Sequence, residues 1–150
     1  MKRNQTGMTL LEVLIFVSIL TMIFLTIAYA TTQSIKRTIY NQKKIIATHY
    51  AEEVQEWMRG EKESDWAIFT TRSDTTYCLN SSVTTCSTAG TCWDADVACD
   101  ADDYTLGNGY KRSSALTTNG SRIDIITTVE WTEGPNTYSV PISTTFSRWE

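Results

Sequence analysis

Residues 7–30 read GMTLLEVLIFVSILTMIFLTIAYA, and this stretch decides the fold. From residue 8 it offers roughly 23 positions that are apolar or carry only a hydroxyl, apart from Glu12, against the ~20 that a helix needs to cross a bilayer. No further charge appears until Lys36. Lys2 and Arg3 precede the run, and basic residues are retained on the cytoplasmic side, so the polar remainder is expected outside the cytoplasm. A carboxylate inside such a span costs ~2.5–3.5 kcal/mol on insertion scales, so Glu12 needs a partner or a purpose. Two readings give it neither. A secretory signal peptide cut after Ala30 finds support in Ala28-Tyr29-Ala30, an A-x-A site, but the apolar run exceeds the ~7–15 residue core of such peptides. A plain single-span anchor, never polymerising, leaves the carboxylate equally unexplained.

Outward from this run the chain turns polar. Its 150 residues are one domain's worth of sequence, with 20% charged residues, seven Gly and two Pro, which excludes collagenous and disordered classes. The net charge of -4 argues against a nucleic-acid-binding surface, which needs Lys and Arg gathered on one face. No Pro interrupts residues 1–134, and Ile35, Ile39, Ile46, Tyr50, Val54 and Trp57 recur at helical spacing among Lys and Glu. One continuous helix over residues 8–59 is predicted, on the order of 75–80 Å at 1.5 Å per residue, stopping at Gly60. Trp57 and Trp66 are expected to pack it on a sheet, and the lone His49, without a second ligand nearby, reads as a surface histidine.

Beyond Gly60, Thr, Ser and β-branched residues dominate. Ile123, Ile125, Thr127, Val129 and Trp131 alternate with Asp124, Thr128 and Glu130, which predicts a half-buried strand. Tyr138, Val140, Ile142 and Phe146 mark a second strand over residues 138–149. The turn formers at 132–137 between them predict an antiparallel hairpin, and an earlier strand is placed at 104–113. The fold class is therefore α+β, a long N-terminal helix on a C-terminal antiparallel sheet.

Cys78, Cys86, Cys92 and Cys99 lie close together in a domain expected outside the cytoplasm, so disulfides are the default. Three connectivities are open; neighbouring pairs, Cys78 with Cys86 and Cys92 with Cys99, close the smallest loops. Zinc is the competing reading, without any C-x-x-C pair to favour it. Asp94, Asp96, Asp100, Asp102 and Asp103 surround Cys99. They read as a solvated acidic loop, with calcium as the alternative, although the spacing is not that of an EF-hand. No other cofactor is expected. No nucleophile stands beside the single His and no phosphate loop exists, so the chain does not read as an enzyme.

The segment Gly7-Met8-Thr9-Leu10-Leu11-Glu12-Val13-Leu14-Ile15, with its short basic leader, resembles the processing site of type IV prepilins and type II secretion pseudopilins. The resemblance implies cleavage between Gly7 and Met8 by prepilin peptidase, N-methylation of Met8, and an assembly role for Glu12. Residues 47–66, ATHYAEEVQEWMRGEKESDW, are similar to a stretch of many minor pilins, as is Tyr110-Lys111-Arg112 followed by a Val-Glu-Trp strand. Tyr29 stands where major pilins commonly carry a Pro, which shifts the resemblance towards a minor pilin or pseudopilin. The family often carries a disulfide near the C-terminus, where this chain has none.

The implied organisation is a cytoplasmic leader (1–7), a transmembrane and filament-core helix (8–30), an amphipathic helix (31–60) and a globular head (61–150) with a disulfide loop at 78–103. The implied partners are other pilin subunits, prepilin peptidase and the pilus assembly platform. The implied location is the inner membrane, single-pass with the head outside, then a pilus or periplasmic filament. The signal-peptide reading predicts instead a secreted, disulfide-stapled binding or adhesive domain.

Overall fold

A computed structural model of the chain describes residues 9–90, 92–93, 99–107 and 109–148, apart from the side chains of residues 86, 88 and 89. It comprises α1 (Leu10–Ser64), α2 (Trp66–Thr71), β1 (Thr75–Cys78), α3 (Val83–Ala89), β2 (Tyr110–Asn119), β3 (Arg122–Glu133) and β4 (Asn136–Ser147). The architecture is the expected α+β: one long N-terminal helix and a four-stranded antiparallel sheet in the order β1-β2-β3-β4, as in a pilin fold. The chain forms two compact units, Met1–Gln42 and Lys43–Glu150.

In the first unit no other described residue buries the apolar side chains of α1, which are exposed over the whole run from Leu10 to Tyr29. The Ser and Thr hydroxyls within that run are satisfied locally. Ser18 donates to the carbonyl of Ile15 at 2.7 Å, Thr21 to that of Val17 at 2.7 Å, and Thr26 to that of Ile23 at 2.8 Å. Such back-bonding leaves no hydroxyl proton seeking water, which makes these residues tolerable in an apolar phase.

In the second unit α1 buries Ala47, Ala51, Val54, Met58 and Lys62, spaced four, three, four and four apart. This stripe differs from the predicted one. Ile35, Ile39 and Ile46 are exposed, Tyr50 and Trp57 are half-buried, and two alanines take the buried line. Small side chains let the backbone of a neighbouring element come close, which periodicity of large residues does not anticipate. The helix also passes through Gly60 instead of ending there. Residues beyond it are held by packing: Glu61 accepts from Arg72 and from the Trp93 indole, each at 3.0 Å, and Lys62 Nζ lies 5.4 Å from the Phe146 ring centre. Those contacts outweigh the ~1 kcal/mol that an interior glycine costs. The stop comes at Asp65, which caps α2 by accepting from the Ile68 N–H at 3.0 Å.

On the sheet, Ile123, Ile125, Thr127, Val129 and Trp131 are all buried, as their alternation predicts. The β3–β4 turn is tighter than expected: Glu133 pairs with Asn136, leaving Gly134 and Pro135 as the loop. Gly134 has φ of 60°, and proline fixes its own φ near −65°, the sign pattern of a type II′ turn suited to hairpin twist. The earlier strand is β2, at Tyr110–Asn119 and not at 104–113. β1 and the two short helices were not anticipated. Leu79, Val83, Leu116, Ile125, Phe69 and Phe146 join Val54 and Met58 in one core, with Trp57, Trp66 and Trp93 packed on its rim. Each large aliphatic or aromatic side chain so buried contributes ~1.5–3 kcal/mol.

Candidate functional site

The first candidate lies at the start of α1. Glu12 occupies its first turn, with its N–H donating to the Thr9 carbonyl at 3.0 Å and in reach of Thr9 Oγ1 at 3.4 Å. Thr9 and Glu12 therefore stand in the T-x-x-E spacing of a capping box, and the carboxylate favours the positive end of the helix dipole. That local role is worth ~0.3–1 kcal/mol, less than the ~2.5–3.5 kcal/mol a carboxylate costs within a span, so capping alone does not account for it. Leu10, Leu11, Val13, Leu14, Ile15 and Phe16 surround it, all exposed. No cation lies within ion-pair distance of Glu12 among the described residues. Gly7 and Met8, the expected cleavage pair, lie outside the described residues.

α1 contains an apolar window of mean hydropathy 2.6, none of it buried by the protein. Its length and composition suffice to cross a membrane, and its exposure separates it from the core helix of a globular protein. Residues 2–28 carry the prokaryotic N-terminal methylation motif. That motif is the hallmark of type IV pilins and pseudopilins, and it supports a precursor processed by prepilin peptidase, anchored in the inner membrane and destined to assemble with other pilins. The pilin family that carries it is structural. Neither a curated protein nor a solved structure matches the chain.

The second candidate is a clamp in the head that sequence reading missed. Arg112 is fully buried. Its Nε donates to the Leu79 carbonyl at 2.8 Å, Nη1 to the Tyr50 carbonyl at 2.8 Å and to Glu53 Oε2 at 2.9 Å, and Nη2 to the Ser81 carbonyl at 3.0 Å. Its backbone N–H donates to Asn80 Oδ1 at 2.7 Å, and its carbonyl accepts from the Leu79 N–H at 2.9 Å. One side chain thus ties α1, β2 and the segment after β1. Burial pulls the guanidinium below its usual value, and the hydrogen bond and charge of Glu53, with Tyr50, pull it back. A buried cation without those acceptors would be prohibitive, so the loop exists in this shape because Arg112 organises it. Its inward position in the alternation Tyr110, Arg112, Ser114, Leu116 was the available signal, had the strand been placed correctly.

Beside the clamp, Cys78 is bonded to Cys99, not to its neighbour Cys86. Loop size discriminates little between the pairings: closing 21 residues instead of 8 costs only about 0.9 kcal/mol more. Strand placement decides instead. Cys78 pairs with Ser113 across the sheet, and Cys99 Sγ lies 3.2 Å from the Arg112 carbonyl oxygen. Cys92 is also disulfide-bonded, while the side chain of Cys86 lies outside the described residues. Sulfurs joined in disulfides leave no thiolate at Cys78, Cys92 or Cys99 for zinc. Cys78, Cys99 and Asp103 bring their ligand atoms within 4.8 Å of one another, but the joined sulfurs offer no thiolate.

Of the aspartates, Asp94 and Asp96 lie outside the described residues. Asp100 and Asp102 are exposed, and half-buried Asp103 accepts from the Thr105 hydroxyl at 2.7 Å. His49 is exposed, with its ring 6.4 Å from that of Tyr50. Trp93, unremarked in the sequence, is a hub of the core rim, 4.7 Å from Trp57 and 4.9 Å from Tyr77 between ring centres. The Arg72 guanidinium stacks 4.5 Å from its centre.

Proposed function

We propose that the chain is a minor pilin or pseudopilin of a type IV pilus-like filament, held in the inner membrane by α1 until an assembly platform extracts it. Cleavage between Gly7 and Met8 creates an ammonium four residues before Glu12, and N-methylation leaves its charge in place. The observation that carries the reading is Glu12, a carboxylate set among exposed apolar side chains on a helix with no protein around it. Packed among other such helices, it finds a low-dielectric setting in which opposite charges attract strongly. Pairing with the Met8 ammonium of an adjacent subunit removes both desolvation costs and fixes axial stagger, since a slipped subunit leaves a buried charge alone.

The test is Glu12→Val. The variant removes a charge from the span, so membrane insertion should be undiminished, and the leader and Gly7 are untouched, so processing should proceed. Recovery in sheared filaments should fall at least about tenfold, the effect of ~1.4 kcal/mol or more of lost pairing. Equal recovery of both forms would refute the assembly role. Intact mass separates the other readings, which predict mature chains starting at Thr31 or at an uncut Met1.

A further inference from the structure

Arg112 takes its side-chain acceptors from two elements. Two lie on α1, the Tyr50 carbonyl and Glu53 Oε2, and two, the carbonyls of Leu79 and Ser81, lie on residues 79–82. That segment leaves β1 without regular structure of its own. It also meets Arg112 through the Leu79 N–H, which donates to the Arg112 carbonyl at 2.9 Å, and through Asn80 Oδ1, which accepts from the Arg112 N–H at 2.7 Å. An irregular segment keeps its carbonyls on a buried cation only where its position is fixed from outside, because ordering it costs backbone entropy.

The Cys78–Cys99 bond supplies that fixed point. Cys78 immediately precedes the segment, and its partner Cys99, 21 residues further along the chain, sets its Sγ 3.2 Å from the Arg112 carbonyl oxygen. Asp103 braces the same corner: its carbonyl accepts from Asn80 Nδ2 at 2.6 Å, and a carboxylate oxygen lies 3.7 Å from Cys78 Sγ. With the bond open, residues 79–82 regain their freedom and the fully buried guanidinium loses its hold on half of its acceptors, which a buried charge tolerates poorly.

We propose that the Cys78–Cys99 bond and the Arg112 clamp form one oxidation-gated device that completes the head only after export. The thiols of Cys78 and Cys99 give up two protons and two electrons to an external disulfide oxidant, which leaves as two thiols. Leu79 and Ser81 then close on Arg112 and tie β2 to α1 at Tyr50 and Glu53. Disulfides persist in oxidising compartments, so the clamp stays open while the chain is in a reducing one. Coupling is reciprocal: whatever the bond adds to the clamp, the clamp adds to the bond. The device rests on the head lying outside the cytoplasm, and not on assembly through Glu12.

The test uses the purified full-length chain in detergent, equilibrated with mixtures of reduced and oxidised dithiothreitol, alkylated, and read by peptide mass at Cys78 and Cys99. Arg112→Met should make this bond at least about tenfold easier to reduce, a shift of about 30 mV in its midpoint. Asn80→Ala, which spares the guanidinium and decides the matter should Arg112→Met not fold, should shift it about threefold in the same direction. Ile123→Ala opens a cavity at the start of β3, away from the Val129 that pairs with Arg112, and should leave the midpoint within about twofold while destabilising the head. In the reverse direction, Cys78→Ser with Cys99→Ser should speed hydrogen exchange at the Leu79 and Arg112 amides at least about tenfold. An unshifted midpoint in Asn80→Ala, an equal shift in Ile123→Ala, or unaltered exchange in the serine chain overturns the device. Free thiols at Cys78 and Cys99 in wild-type chain taken from its native membrane also overturn it, while filaments containing that chain leave the filament reading standing.

Discussion

The two halves of α1 are one helix under two solvents. None of residues 10–42 is buried and only Gln33 and Tyr40 are half-buried, whereas residues 43–64 bury a stripe ending in Met58 and Lys62. Both are α-helical throughout, so the difference lies in what the side chains meet. Within the first half, residues 13–30 are apolar or hydroxyl-bearing on all sides and must be covered by lipid or by other helices. The second has a sheet, a buried arginine and a ring of tryptophans of its own. Stability of the fold therefore resides in the second half, and the proposed assembly contact at Glu12 in the first.

The comparison breaks most sharply at Arg112. Arg112→Met leaves the Glu53 carboxylate and the carbonyls of Leu79, Tyr50 and Ser81 without their donor, and should cost the head ~3–5 kcal/mol. Arg112→Lys should rescue little, because an ammonium cannot span acceptors arranged around a planar fork. Thermal unfolding of the full-length chain in detergent, followed by near-ultraviolet dichroism, reads the loss; a shift under about 1 kcal/mol for Arg112→Met would remove the clamp from the account.

A matched pair sharpens the contrast between the halves. Met58→Ala empties a buried site and should cost ~2–5 kcal/mol in the same melt. Ile23→Ala, on the exposed first half, should leave the head transition unmoved within ~0.5 kcal/mol. Similar losses from both would mean that the two units do not melt independently.

Gly60 offers a smaller effect of opposite sign. It is exposed inside α1, and a Cβ there would meet nothing within 4 Å. Gly60→Ala should raise head stability by up to ~1 kcal/mol. An unchanged or lower melting temperature would show that the helix does not run through this position in solution.

The smallest effect is one of pH. Hydrogen bonds from Thr145 and then Asn119 hold the Asp124 carboxyl below its ordinary value of 3.8, against a slight opposing effect of desolvation. Below that value the unfolded chain binds the proton first, so stability rises with pH through this window. The contribution is complete above the ordinary value and is lost as pH falls through the depressed one. Asp124→Asn should flatten this acid limb of the melting curve and leave the slope near neutrality alone; an unaltered limb would discount these bonds.

Much of this was legible because it is periodic. The run around Glu12 gives an apolar helix long enough to span and the odd carboxylate without any coordinates, and the alternation from Ile123 to Trp131 gives β3 with its buried face. What was misread has a common cause. Gly60 reads as a stop only if the residues after it have no contacts, and Glu61 and Lys62 have them. The helix face was drawn through large residues, whereas Ala47 and Ala51 lie fully buried. The cysteine pairing was weighed by loop size, a local quantity, when the pairing of Cys78 with Ser113 decides where its sulfur lies.

By itself, then, the sequence determined the apolar helix, its topology, its processing motif and the strand alternation, because these depend on hydrophobicity and spacing along the chain. Only the tertiary structure decided the Arg112 clamp, the Cys78–Cys99 bond and the Trp93 hub. Each of these joins residues distant in sequence, brought together by antiparallel pairing and by the requirement that a buried charge find its acceptors.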